Sequence, residues 1–136
     1  MTSYQSDSVG PQAPAKCVAI VEDDEGLRSA LAFALSVEGY MALTYANAEE
    51  LLNAPPPMQA CLIVDLVLPG IDGLDLLMIV RTEHGDWPAV LITTHPSRNV
   101  RRRAERLGAA IIEKPLRADD VANLVRELIG AARGPS

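Results

Sequence analysis

The sequence has no apolar run that approaches the roughly 20 residues needed to span a bilayer as a helix. Its first 15 residues are rich in Ser, Gln, Pro and Gly, and they lack the basic start and apolar centre of a signal peptide. We therefore expect a cytoplasmic protein without a membrane span. The pattern predicts a flexible tail over 1–15, one folded domain over 16–132 and a short tail over 133–136.

Cysteine is also scarce. Cys17 and Cys61 are the two cysteines, and both fall in predicted central strands. In a cytosolic protein, buried reduced thiols are expected more often than a disulfide, so reduced thiols are predicted. The formal net charge of −6 argues against general binding of nucleic acid.

Strand-like and helix-like segments alternate five times along the chain. Strands are expected at about 17–22, 40–45, 61–65, 89–93 and 110–113, and helices at about 26–38, 48–53, 73–84, 97–107 and 118–131. The third helix is expected to turn Leu74, Leu77 and Met78 inward. Such alternation predicts an α/β fold, a single doubly wound domain with a parallel sheet covered by helices on both faces.

Polar side chains follow the predicted strands at the points where they end. Glu22 closes the first strand and Asp23 follows it, Asp65 closes the third, Thr93 closes the fourth and Lys114 follows the fifth. The carboxyl ends of parallel strands share one edge of the sheet, where ligands of open α/β folds bind. We therefore expect these five residues to form one site.

Three acids in such a site repel one another unless a cation is present. Glu22, Asp23 and Asp65 offer only oxygen ligands, which favour a hard ion, Mg2+ or Mn2+. A carboxylate, a hydroxyl, a lysine and a hard cation together are typical of phosphoryl transfer. In that interpretation Asp65 is the nucleophile and forms an acyl phosphate.

Four segments carry a family resemblance. They are Val21-Glu22-Asp23-Asp24, the stretch from Val64 to Gly73, Ile92-Thr93-Thr94-His95 and Glu113-Lys114-Pro115-Leu116. With them the chain resembles the receiver domain of two-component response regulators over about residues 17–130. It is similar in particular to the nitrogen-fixation regulators that carry a receiver before a DNA-binding domain.

The resemblance implies a flavodoxin-like (βα)5 fold with strand order 2-1-3-4-5. It implies that Asp65 takes a phosphoryl group from a sensor histidine kinase or a phosphotransfer protein, with Thr93 as switch hydroxyl and Lys114 as phosphate-binding lysine. Such a domain is a signalling switch, not an enzyme, and catalyses only its own phosphorylation and dephosphorylation. It would switch a protein-binding surface on helix 4, strand 5 and helix 5.

The resemblance also implies a ligand set for the metal. In the family, a residue of helix one lies five positions after the metal-binding acid, and counting back from Arg28 gives Asp23. Asp23 is then the direct ligand, Glu22 its water-mediated partner, Asp65 a second ligand and the backbone carbonyl of Val67 the third protein ligand. A cis peptide bond is implied before Pro115.

Several positions depart from the family pattern. Ile111 stands where an aromatic residue often switches, Leu116 replaces a common Phe, and Thr94 replaces Ala or Gly. These departures keep open an alternative function, a phosphorylation-independent receiver that acts as a protein-binding module. A third possibility, a Mg2+-dependent phosphatase, usually needs a second acid at the position that Val67 occupies.

Two further features concern the lifetime and output of the switch. The apolar Val67 cannot orient an attacking water, so slow self-dephosphorylation is predicted, although His95 could compensate. Five arginines lie in the predicted helix 4, namely Arg98, Arg101, Arg102, Arg103 and Arg106. They form either a solvated basic face or a surface for an acidic partner or a homodimer, with nucleic acid as a third option.

Overall fold

The computed structural model describes residues 16–133, so the predicted tails lie outside the described residues except for Arg133. The strands are β1 (Cys17–Val21), β2 (Met41–Tyr45), β3 (Ala60–Asp65), β4 (Ala89–Thr93) and β5 (Ala110–Glu113). The helices are α1 (Glu25–Val37), α2 (Ala48–Asn53), α3 (Gly73–His84), α4 (Arg98–Arg106) and α5 (Ala118–Arg133). Every predicted element is present, with ends within two residues of the expected ones.

The five strands form one parallel sheet in the order β2-β1-β3-β4-β5, as predicted. Strand order reverses between β1 and β3, and a doubly wound sheet opens a crevice at such a point. The carboxyl ends of β1 and β3 lie side by side there, with Val21 in register with Val64. The fold thus brings the first and third strand ends together at one edge.

Side chains alternate between the two faces of the sheet and fill two apolar cores. One core packs against α2, α3 and α4 and includes Cys17, whereas the other packs against α1 and α5 and includes Cys61. Both cysteines are buried and free, so the prediction of reduced thiols is confirmed. The two cysteine side chains lie on opposite faces of the sheet because successive residues of a strand alternate between its faces.

Polar side chains begin most of the helices. Asp24, Asn47, Asp72 and Ser97 each accept a hydrogen bond from a backbone N–H in the first turn of α1, α2, α3 and α4. Such caps satisfy donors that the helix itself leaves free. Gly39 follows α1 with φ +97°, a left-handed conformation that glycine adopts readily at the end of a helix. Among the helices of residues 16–133, none has the length and apolar character to cross a membrane.

The expected orientation of Met78 is wrong. Met78 is 51% exposed, while Leu74 and Leu77 are fully buried as predicted. The buried face of α3 instead includes Leu76 and Val80. Successive helical residues are rotated by about 100°, so Met78 lies past the edge of that face.

Candidate functional site

Three carboxylates meet at the sheet edge where β1 and β3 end. Each of Glu22, Asp23 and Asp65 places one carboxylate oxygen within 4.8 Å of the other two. Glu22 is 1% exposed and Asp65 is 4% exposed, whereas Asp23 faces solvent. The structure therefore assembles the acidic cluster that the strand ends predicted.

Lys114 reaches this cluster from the end of β5. Its Nζ lies 2.6 Å from Asp65 Oδ2 and 3.8 Å from Glu22 Oε1. Partial burial alone would lower the pKa of Lys114, but its hydrogen bond to Asp65 and the nearby negative charges raise that pKa above its usual value. The Lys114–Pro115 peptide bond is cis, as expected. Lys114 is therefore a fixed positive charge beside Asp65.

Glu22 is the least satisfied member of the cluster. Its Oε2 accepts a hydrogen bond from the Asp24 N–H at 3.0 Å, but Oε1 is buried and accepts none from the part of the chain that the structure describes. The pKa of Glu22 is raised to about 7, chiefly by burial and in part by the charge of Asp65, although the hydrogen bond from the Asp24 N–H lowers it. A buried oxygen without a donor, in an all-oxygen cluster, fits a hard divalent cation such as Mg2+.

The loop after β1 is held from α1. The Arg28 guanidinium donates hydrogen bonds to the carbonyl oxygens of Glu22 at 2.8 Å and Asp23 at 3.4 Å. Asp24 caps α1 by accepting from the Gly26 N–H at 3.2 Å. Sequence reasoning used Arg28 only to count back to the metal-binding acid. The structure shows that Arg28 also fastens the loop that carries both acids.

Two backbone N–H groups hold the loop after β3 by hydrogen bonds to Asp65 and Leu66. The Val67 N–H donates to Asp65 Oδ1 at 3.0 Å, and the Gly73 N–H donates to the Leu66 carbonyl at 2.9 Å. A Cβ atom added to Gly73 would lie only 2.5 Å from the Asp65 carbonyl oxygen. Sequence reasoning treated Gly73 simply as the start of α3. The Val67 side chain is 73% exposed, and the metal-binding role of its carbonyl stays a prediction.

Thr93 completes the set of predicted site residues at the end of β4. It is 3% exposed, and its carbonyl accepts the Lys114 N–H at 2.8 Å, which ties the two strand ends together. Ile111 pairs with Leu91 inside the sheet and packs half-buried against the core beneath α2, α3 and α4. His95 is exposed and has φ +47°, a left-handed conformation that few non-glycine residues adopt.

Comparisons with known proteins cover most of the described chain. The family described as the response regulator receiver domain matches residues 18–126. The transcriptional regulatory protein FixJ of Bradyrhizobium diazoefficiens is 28% identical over 115 residues, which are 83% of this chain and 56% of FixJ. The C4-dicarboxylate transport transcriptional regulatory protein DctD of Pseudomonas aeruginosa is 32% identical over 118 residues, 85% of this chain and 26% of DctD.

Solved structures agree with these sequence matches. Full-length FixJ from B. japonicum superposes with a TM-score of 0.77 at 26% identity, over 88% of this chain and 60% of that one. A CheY-like receiver domain protein from Methanospirillum hungatei superposes with a TM-score of 0.80 at 24% identity, over 90% of this chain and 100% of that one, and at that identity the likeness shows the fold alone. The chain spans about half the length of FixJ.

Proposed function

Because the chain belongs to the family of response regulator receiver domains of two-component systems, we propose that it accepts a phosphoryl group on Asp65 in a reaction that needs Mg2+ or Mn2+. Receiver domains of this family are signalling switches that interact with histidine kinases, and they are not generally classed as enzymes. The proposed donor is the phosphohistidine of a sensor kinase or of a phosphotransfer protein. The proposed site of action is the cytoplasm.

The observation that carries the proposal is the contact between Lys114 Nζ and Asp65 Oδ2 inside a buried acidic cluster. An oxygen of Asp65 attacks phosphorus, the bond from phosphorus to the donor nitrogen breaks, and an acyl phosphate results. Lys114 neutralises the carboxylate before transfer and the phosphoryl oxygens afterwards. The Thr93 hydroxyl binds a phosphoryl oxygen, while the Val67 N–H orients the Asp65 carboxylate through Oδ1 and Gly73 leaves room for the Asp65 carbonyl.

A cation would be held by Asp23, Asp65 and the Val67 carbonyl, with Glu22 acting through water. When bound, it would offset the charge of the acids and of the transferring group. The proposed output is a change in the protein-binding surface formed by α4, β5 and α5. The described relatives are transcriptional regulators, so a gene-regulatory output is proposed, without direct nucleic-acid binding by this chain, whose net charge is −6.

Incubation with acetyl phosphate and Mg2+, read by intact-protein mass, tests the proposal. We expect one phosphoryl group per chain, and none when EDTA replaces Mg2+. No adduct under any condition would reject phosphotransfer and favour the alternative, a phosphorylation-independent protein-binding module. Continuous release of phosphate from monoesters would favour a phosphatase instead.

Mg2+ is expected to stabilise the fold through the acidic cluster. At a free concentration ten times its Kd, the gain in unfolding free energy is about 1.4 kcal/mol, a rise in Tm of roughly 3–6 °C. Thermal denaturation with and without Mg2+ measures this. Asp23→Asn should remove the rise, whereas Asp24→Asn should keep it, because Asn also caps α1 well. The reverse result would move the direct ligand from Asp23 to Asp24.

The decay of the phosphorylated state tests the prediction made for Val67. The exposed Val67 side chain cannot hold a water by hydrogen bonding, so Val67→Asn is expected to shorten the lifetime of the adduct severalfold. The loss of adduct mass with time after removal of the donor gives the rate. Val67→Ala is the control for loss of bulk, and equal lifetimes in both variants and the parent chain would refute the prediction.

A further inference from the structure

The five arginines of α4 divide into two groups. Arg101 forms an ion pair with Glu113 at 2.9 Å, and Arg103 pairs with Asp72 at 3.4 Å and with Asp75 at 3.0 Å. These contacts join α4 to β5 and to the start of α3. Two of the arginines are therefore already paired with carboxylates of the domain itself.

The other three arginines point away from the domain. Arg98, Arg102 and Arg106 are exposed, and none is within 4 Å of a carboxylate oxygen among the side chains that the structure describes. At four-residue spacing they rise by about 6 Å per step with a rotation of about 40°, so they form one stripe. The stripe lies opposite the inward face of α4, where Ala104 is buried and Val100 packs against the core.

The positive charge of the stripe favours an anionic partner. The charge and polarity of the surrounding surface indicate which class of anionic partner fits. A long polyanion such as nucleic acid extends past the stripe, and there the overall charge of −6 on the domain repels it. An anionic membrane needs apolar side chains that enter the interface, yet the exposed large apolar residues of the described chain lie outside α4. A short acidic segment avoids both difficulties.

We propose that the stripe of Arg98, Arg102 and Arg106 docks an acidic α-helix of a partner protein. Carboxylates at positions i, i+4 and i+8 of that helix would match the stripe in spacing, and the guanidinium group can bind a carboxylate through two parallel hydrogen bonds. The proposal goes beyond phosphotransfer and does not depend on it, because the three charges are present whatever the state of Asp65.

Fluorescence anisotropy with synthetic peptides tests this docking. The probe is a labelled alanine-based helix of roughly 18 residues with Glu at i, i+4 and i+8, long enough to be helical in water. The comparison peptide carries Gln at those positions. We expect saturable binding of the Glu peptide at low ionic strength, weaker binding at 0.15 M salt, where screening is stronger, and little binding of the Gln peptide.

Two single variants form a matched pair. Arg102→Gln and Arg101→Gln remove the same charge from adjacent positions, but only Arg102 belongs to the stripe. We expect Arg102→Gln to weaken peptide binding about threefold and Arg101→Gln less than twofold, because Arg101 is already neutralised by Glu113. The triple variant at Arg98, Arg102 and Arg106 should weaken binding at least roughly tenfold. Circular dichroism checks that each variant folds.

Several outcomes would overturn the proposal. These are absence of Glu-peptide binding, equal effects of the two single variants, or tighter stripe-dependent binding to duplex DNA or to phosphatidylserine vesicles. Asp65→Asn serves as a further control and should bind the peptide like the parent chain. Failure of phosphorylation with intact peptide binding would reject the phosphotransfer proposal alone, and the opposite pattern would reject the docking proposal alone.

Discussion

Asp65→Asn is expected to leave the chain without any phosphoryl adduct after incubation with acetyl phosphate and Mg2+. The amide lacks the nucleophilic oxygen that would form the acyl phosphate, and no other described acid combines burial with a hydrogen bond from Lys114. The fold should persist. The Asn oxygen can still accept the Val67 N–H, and loss of the Lys114 ion pair is offset by removal of repulsion from Glu22. Thermal denaturation should therefore show a cooperative transition for Asp65→Asn, as for the parent chain.

Asp72→Asn is the matched control for this change. Asp72 lies in the same loop and caps α3 by accepting from the Asp75 N–H at 2.8 Å, a role that Asn fills equally well. The yield of phosphoryl adduct on Asp72→Asn should equal that on the parent chain. An adduct that persists in Asp65→Asn would place the phosphoacceptor elsewhere, and peptide mapping of the modified residue would then identify it.

Gly73→Ala should both destabilise the domain and slow its phosphorylation. The new Cβ would lie 2.5 Å from the Asp65 carbonyl oxygen and 3.1 Å from its carbonyl carbon, and these backbone atoms cannot swing aside as a flexible side chain would. Overpacking of this kind costs about 1–3 kcal/mol. If the Asp65 backbone shifts to relieve the contact, the initial phosphorylation rate should fall roughly tenfold to a hundredfold.

Gly130→Ala gives the comparison that isolates this contact. Gly130 also lies in a helix, but a Cβ added there meets no atom within 4 Å. The change should stabilise the domain by about 0.5–1 kcal/mol, because Ala is the better helix former. Urea unfolding of both variants measures the two effects. Equal unfolding free energies of Gly73→Ala and Gly130→Ala would show that the loop after β3 can shift at little cost and that Gly73 does not position Asp65.

The periodicity of the sequence was enough to predict the elements and most of the site. Apolar runs ending in Glu22, Asp65 and Thr93 predicted strands with polar ends, and parallel strands necessarily bring those ends to one edge. The strand order came from the family resemblance. Alternation alone leaves the order of five strands open, because it depends on which strands pair across the chain.

Packing around single residues was less predictable. Met78 fits an inward position by spacing to Leu74, yet the width of the buried face of α3 depends on how that helix meets the sheet. Gly73 looks like an ordinary helix start until the Asp65 carbonyl is seen to lie against it. A glycine next to an acidic motif was the available signal, but the close contact depends on the path of the β3–α3 loop.

The sequence by itself determined the α/β alternation and the chemical set of acids, hydroxyl and lysine, because these depend on local periodicity and residue type. The tertiary structure alone decided which charges meet. It joined Lys114 to Asp65 across 49 positions of sequence. It also placed Arg101 and Arg103 beside carboxylates, whereas Arg98, Arg102 and Arg106 are left exposed. Electrostatic contacts depend on distances of a few Å between elements remote in sequence, which a single sequence does not specify.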